Sequence, residues 1–176
     1  ADRLDGLEII DISDPTNPVE VGSYDDGEQA VGIVVVGNYA YIGDGNDGVE
    51  IIDVSDPTNP IEVGQMTSGY TRGLAVSGNY LYSQYGSGLQ IVDISDPSAP
   101  TRVAGLNVGG TVYAVDIVGN YAYVADDTNG LEIIDISDPT NPVEIGELYD
   151  SSGTSWEIAV SGNYAYVADR TDGLEI

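Results

Sequence analysis

The residues best placed to do chemistry in this chain are acids, aromatics and a few arginines. Asp116 and Glu157 are the only acids inside the innermost apolar runs of their repeats. A glycoside-cleaving pair would need one carboxyl with a raised pKa at a set distance from a second. These two fall in different repeats, with no base or metal motif beside them. The chain has no histidine and no cysteine, so the usual general base, thiolate nucleophiles and Cys–zinc sites are excluded. The expectation is a protein with no catalytic residues and no enzyme activity.

A second group of acids clusters in short Gly/Asp/Asn loops. Asp44, Asn46, Asp47 and Glu50 share one loop region, and Asp126, Asp127, Asn129 and Glu132 share another. A third holds Asp169, Asp172 and Glu175, copied at Asp2, Asp5 and Glu8. Oxygen density of this kind suits calcium, which makes Asp44, Asp47, Asp126 and Asp127 the candidate ligands. The spacing D-x-x-[DN]-G-x-E is not an EF-hand loop, and Asp or Asn before Gly is an ordinary turn former. The turn reading leads. No cofactor is expected, and calcium is the one candidate.

Aspartates 11, 53, 93 and 135 each precede Ser-Asp-Pro. Identical copies fit a structural duty, each accepting hydrogen bonds within its own turn.

These residues must be positioned by a repeat. Gly6 to Pro18 reads G-L-E-I-I-D-I-S-D-P-T-N-P, and it returns from Gly48, Gly88 and Gly130. A fifth start falls at Gly173. The period is about 40 residues, and each copy holds four short extended runs divided by turn signals. In the second copy these are Ala30 to Val36, Tyr39 to Ile42, Val49 to Val54 and Ile61 to Val63. The first, a continuous apolar run, is expected to be buried on both faces. No 3.6-residue apolar period occurs. Four antiparallel strands in about 40 residues predict an all-β propeller of about four four-stranded blades.

The cores L-E-I-I-D-I-S-D-P (Leu7 to Pro15) and L-Q-I-V-D-I-S-D-P (Leu89 to Pro97) recur with a flanking G-N-Y-x-Y element. They resemble the LVIVD repeat of bacterial and archaeal extracellular and cell-surface proteins. The resemblance spans essentially the whole chain. It implies a propeller-type fold and an extracellular or cell-surface location, and it implies no activity.

Residues 1–176 then form one propeller domain of four repeats, standing alone, within a longer array or as the subunit of a polymer. Residues 6–21 supply a third and fourth strand, three full blades follow, and 155–167 supply a first and second strand. The expected closure is a fourth blade shared by the N- and C-terminal strands. Ala1–Ile9 and Ala168–Ile176 are near-identical and compete for one third-strand place. The copy left out, through Leu7 and Ile9 or Leu174 and Ile176, is expected to pair with a neighbouring molecule or a continuing repeat.

Comparison among the copies separates shared from free positions. Eight of the 13 tyrosines form four N-Y-x-Y pairs, which marks them as packing residues. Tyr24, Tyr70, Tyr85, Tyr113 and Tyr149 lie instead in the connections between blades, at the start of an inner strand or in the loop before the third strand, all expected on one face. Trp156, the only tryptophan, occupies the position held by Val31, Arg72 and Tyr113, and Glu157 follows it. Arg3 and Arg170 map to the same face. Tyr, Trp and Arg are the types enriched in binding hot spots.

The formal charge of −26 repels nucleic acid and anionic membrane surfaces. No apolar run is long enough to span a membrane. Two functions follow. One is a non-catalytic extracellular structural protein, a unit of a surface layer or filament joined by strand exchange. The alternative is a binding or adhesion module that recognises carbohydrate or protein through the variable aromatic face.

Overall fold

The structure is a computed structural model that describes residues 6–25, 27, 29–45, 47–127, 129–149, 154–170 and 173–176. The described residues are all β, with no helix. The fold is a β-propeller of antiparallel blades. Three blades are complete: β3 (Ala30–Val36) to β6 through β4 (Tyr39–Asp44), β5 (Gly48–Asp53) and β6 (Ile61–Met66); β7 (Leu74–Ser77), β8 (Tyr80–Gln84), β9 (Gly88–Asp93) and β10 (Thr101–Asn107); and β11 (Val112–Val118), β12 (Tyr121–Asp126), β13 (Gly130–Asp135) and β14 (Val143–Leu148). Two partial sheets flank them in sequence. β1 (Leu7–Asp11) pairs with β2 (Val19–Tyr24), and β15 (Ser155–Ser161), β16 (Tyr164–Asp169) and β17 (Gly173–Glu175) form a three-stranded sheet.

Turn chemistry fixes this pattern. Gly37, Gly78, Gly119 and Gly162 have φ near 60° at the first of two turn residues, with Asn following, as a tight primed hairpin requires. The S-D-P turns are held by their own aspartates. Asp11, Asp53, Asp93 and Asp135 each accept the N–H of the serine two residues on at 2.8 Å. Asp14, Asp56, Asp96 and Asp138 accept the backbone N–H and side-chain hydroxyl of a following Thr or Ser. These bonds hold all eight carboxyls below the usual range.

Several strand expectations are corrected: the third strand is Gly48–Asp53 rather than Val49 to Val54, and the fourth runs on to Met66 rather than stopping at Val63. The second strand runs on to Asp44, which pairs with Gly48 across the loop. The apolar run of β3 is buried only at its start, and Val35 is 57% exposed. β3 ends its sheet and has a ladder partner on one side alone. The fully buried runs are the central strands β4 and β5.

The expected sharing of the last blade is corrected too. β17 fills the third-strand place beside β16, and β1 pairs only with β2. Three residues of sequence link β16 to β17, whereas β1 is more than 150 residues away, so closing the short loop costs far less entropy.

The chain divides into two compact units, 1–71 with 96–100, and 72–95 with 101–176. In the first, Leu7, Ala30, Ala40, Ile42 and Ile52 form the core. In the second, Tyr82, Leu89 and Ile91 of one blade pack against Val112, Val124, Ile134 and Ile136 of the next. Burying each large aliphatic side chain contributes about 1.5–3 kcal/mol. A smaller cluster joins Ala114 and Ala125 to Ile158 and Val167.

Gly64 lies where a Cβ would land on the Pro97 carbonyl oxygen, and Gly22 stands in the same relation to Pro57. The obstacle is backbone in a turn braced by hydrogen bonds, which cannot swing away. Gly64→Ala is expected to cost about 1–3 kcal/mol, the range for overpacking. Urea unfolding checks this, and an unchanged midpoint would show that the turn yields.

Candidate functional site

A bulge recurs at the start of the first strand. The β3–β4 register skips Val31, the β11–β12 register skips Tyr113, and the β15–β16 register skips Trp156. A bulge leaves one residue outside the ladder and re-aims its side chain. Arg72 holds the same repeat position, just ahead of β7. Next to it, Gly73 admits close approach: a Cβ there would meet the Tyr113 carbonyl oxygen at 2.8 Å and Ala114 Cα at 2.9 Å.

In the second unit these unlike residues meet. The Tyr113 and Trp156 rings stack with centroids 5.0 Å apart and planes 12° from parallel. The Arg72 guanidinium carbon lies 4.9 Å from the Tyr113 centroid and 5.1 Å from that of Trp156. Arg170, from the segment after β16, lies 5.3 Å from the Trp156 ring. Each such cation–π contact is worth about 0.5–1 kcal/mol at an exposed site. Trp156 remains 38% exposed. Two of the four cations in a chain of charge −26 thus converge on one aromatic pair. The cluster offers a stacked aromatic pair, partly exposed at Trp156, with two guanidinium groups beside it. That arrangement can hold the apolar face of a sugar or a partner's side chain while the donors reach carboxylate or hydroxyl oxygens.

The other expected residues lie elsewhere. Tyr24, in the first unit, donates its hydroxyl to Glu62 at 2.9 Å. Tyr70, also in that unit, is exposed. Tyr85 lies under Arg102, 4.2 Å from guanidinium carbon to centroid, beside a shallow recess of about 480 Å³. Tyr149 lines a different groove, with Tyr164 and Ile176. Glu157 is exposed next to Trp156. Leu174 and Ile176 are 63% and 75% exposed, whereas Leu7 is buried and Ile9 half-buried. Arg3 lies outside the described residues, as do Asp2, Asp5, Asn46 and Asp172. Arg170 was expected on the face of Arg72 and Trp156, and it does reach the Trp156 ring. Arg102 was not expected beside an aromatic, and the signal for it was that cations are so scarce.

The acids are chiefly structural. Asp116 Oδ2 accepts the Val160 N–H at 2.6 Å and so bridges β11 to β15, while Oδ1 accepts the Ile117 N–H. The calcium candidates build turns. Asp44 accepts the Asp47 N–H at 2.8 Å, and Asp126 accepts the Asn129 N–H at 2.7 Å, both through backbone oxygens. Asp127 adopts φ 36° and accepts the Ser155 N–H. Among the described residues, no group of three or more acids is placed to hold a metal ion.

Asp126 and Glu132 are nonetheless buried together, 0% and 3% exposed. Asn129 donates to Asp126 Oδ2 at 2.9 Å. Burial pushes the Glu132 carboxyl up to about 8, and the carboxylates of Asp126, Glu144 and Glu147 add to the rise. Asp126 is raised as well, mainly by burial. Gln90 fills the same register place in the preceding blade, where it donates to Ser83 Oγ at 3.0 Å.

Glu132 therefore folds with a proton that the unfolded chain releases near 4.5. Its stabilising protonated state is fully present below that value and is lost as pH rises through about 8. Glu132→Gln should make thermal stability less sensitive to pH between 5 and 8, with the variant melting higher at pH 8. Parallel melting curves across that range would rule out a buried proton at this position.

Comparison with known proteins comes to the same repeat. No curated protein is matched by the sequence. Among solved structures, a functionally unknown protein from Desulfotomaculum acetoxidans DSM 771 is similar at TM-score 0.75 and 19% identity, over 95% of this chain and 57% of that one. The computationally designed Ika4 protein is similar at TM-score 0.67 and 10% identity, over 84% and 89%. The computationally designed Ika8 protein follows at 0.65 and 13%, over 85% and 46%. The chain thus spans about half the length of two of these three, and at such identities the likeness speaks for fold alone. The LVIVD repeat matches residues 1–26, 27–67, 68–107, 109–150 and 152–176, so the chain belongs to the LVIVD repeat family.

Proposed function

We propose that this chain is a non-catalytic recognition module of an extracellular or cell-surface protein. It would present the Arg72–Tyr113–Trp156–Arg170 cluster to a carbohydrate or a protein. The observation that carries the reading is the bulge position. A repeat that keeps its packing residues the same places Tyr and Trp there, in contact with each other and with Arg72 from the matching position ahead of β7. Binding residues commonly sit on irregular segments held by a rigid scaffold. The acidic surface disfavours nucleic acid as the ligand. Asp116 is occupied in joining two strands, which leaves Glu157 without an acid partner and weighs against hydrolysis.

A structural role is the second reading, as a repeating unit of a surface layer or filament joined by strands. It is favoured by the exposure of Leu174 and Ile176 beside an open groove. Electron microscopy of the native material separates the two, since regular polymers favour the structural role and discrete particles the module.

Oligosaccharide and peptide arrays probed with the chain and with Trp156→Ala test the first reading. A ligand of the site should lose about 2 kcal/mol or more of affinity in the variant, as for a central aromatic anchor. Ligands held equally well by both proteins would reduce the cluster to a packing feature.

A further inference from the structure

The repeat that carries β7 to β10 differs from its neighbours in charge. Residues 68–107 hold two aspartates, Asp93 and Asp96, and two arginines, Arg72 and Arg102. They are neutral, whereas residues 27–67 hold seven acids and 109–150 nine, with no cation in either. Four exchanges in the blade account for much of the difference. In three other sheets Asp44, Asp126 and Asp169 pair with the glycine that opens the third strand, and all three are buried. Tyr85 holds that place here, donating its N–H to the Gly88 carbonyl at 2.8 Å. Gln90 replaces Glu50 and Glu132, and Arg102 replaces Glu20, Glu62 and Glu144. Gly105 replaces Ser23, Gln65 and Glu147.

The exchanges act together. The bare backbone at Gly105 lets Arg102 fold back along β10, and a Cβ there would run into its guanidinium. Arg102 Nε donates to the Ala104 carbonyl at 3.3 Å, and the guanidinium carbon lies 4.2 Å from the Tyr85 centroid. Tyr85 is 42% exposed at a place where aspartates are buried. The recess beside this pair has a volume of about 480 Å³, inside the range of about 300–1,000 Å³ typical of small-ligand sites. Groups able to donate surround it: the terminal nitrogens of Arg102, the hydroxyls of Tyr85 and Ser87, and the Asn107 side-chain amide, whose Oδ1 accepts the Gly109 N–H at 2.9 Å. Among the described residues no acid lines it.

We propose that this recess binds an acidic saccharide, through a sugar residue that carries a carboxylate. The planar fork of Arg102 matches a carboxylate in shape and charge. The guanidinium already covers one face of Tyr85, so the pair offers charge where a neutral sugar would stack on a bare ring. A lone aspartate or glutamate side chain would use the fork and leave the hydroxyl and amide groups around it unmatched. A sugar residue brings its own hydroxyls and its carboxylate as one rigid unit. The remaining acids of the chain oppose an anion at long range, but charges beyond about 8 Å are largely screened at physiological salt. The site is separate from the Trp156 cluster and does not depend on the recognition reading of that cluster.

Calorimetry with short oligomers of galacturonate, with short oligomers of glucuronate and with a sialylated trisaccharide tests the proposal. At least one should bind saturably. Its methyl ester, which keeps the ring and loses the charge, should bind roughly tenfold or more weakly, as for the loss of a charge-assisted hydrogen bond. Arg102→Gln should weaken binding by a similar factor. Arg102→Glu, which restores the residue of the other blades, should abolish it. In the unaltered chain the amide signals of Gly86, Ser87 and Gly88 should shift during the titration, a readout that needs no variant. The proposal is overturned if none of the three saccharides binds, if ester and acid bind equally, or if binding survives Arg102→Glu. Binding of a glutamate-rich peptide at these amides, with no saccharide bound, would equally overturn it and assign the recess to a protein partner. Saccharide binding that falls in Trp156→Ala but not in Arg102→Gln would overturn it as well, and would place that ligand at the aromatic cluster.

Discussion

A blade of this protein buries its apolar face only against the next blade, and the rest of the structure depends on that constraint. Tyr82, Leu89 and Ile91 show what satisfies it: Ile134 on the third strand of the neighbour and Ile136 just past its end, with help from its first and second strands. The cross-strand joins serve the same contact. Asp116 reaches from β11 to the Val160 N–H, and Gly73 lets two first strands approach closely. A repeat under this constraint has little freedom at its packing positions, which is why the N-Y-x-Y and L-x-I-I-D elements vary so little.

Freedom is left where a residue stands outside the ladder. The bulge at the start of the first strand is such a place, and there the copies hold valine, tyrosine and tryptophan, with arginine at the same repeat position ahead of β7. Cation–π contacts and ring stacking order the last three. Two guanidinium groups gathered at one aromatic pair also create a local exception to a strongly acidic surface. The recognition reading rests on this contrast between a uniform scaffold and one varied, ordered position.

Much of the fold was legible in the sequence because the period is set by turn residues, and Gly-Asn and Ser-Asp-Pro leave few backbone options. The strand ends were less legible. Asp44 reads as loop, but hairpin pairing with Gly48 extends the strand past it. The run Ala30 to Val36 reads as doubly buried, yet its place at the end of its sheet leaves Val35 open. Two near-identical nonapeptides could not be ranked for one place by their residues. Loop length decided, since β17 follows β16 at once. Of the site, the shared register of Arg72, Tyr113 and Trp156 was readable from the copies. Their mutual contact was not, because it depends on the bulges at Tyr113 and Trp156, and Arg170 arrives from the segment after β16. The burial of Glu132 had one sequence trace, the glutamine at position 90.

Trp156 is the chain's only tryptophan, so its emission reports on the proposed site without a label. The most direct measurement is a fluorescence titration with an oligosaccharide or peptide whose binding is followed in parallel by calorimetry. The recognition account predicts a saturable change in tryptophan emission with the calorimetric affinity, and loss of both signals in Arg72→Ala. Calorimetric binding with unchanged Trp156 emission, and with full affinity in Arg72→Ala, would contradict it.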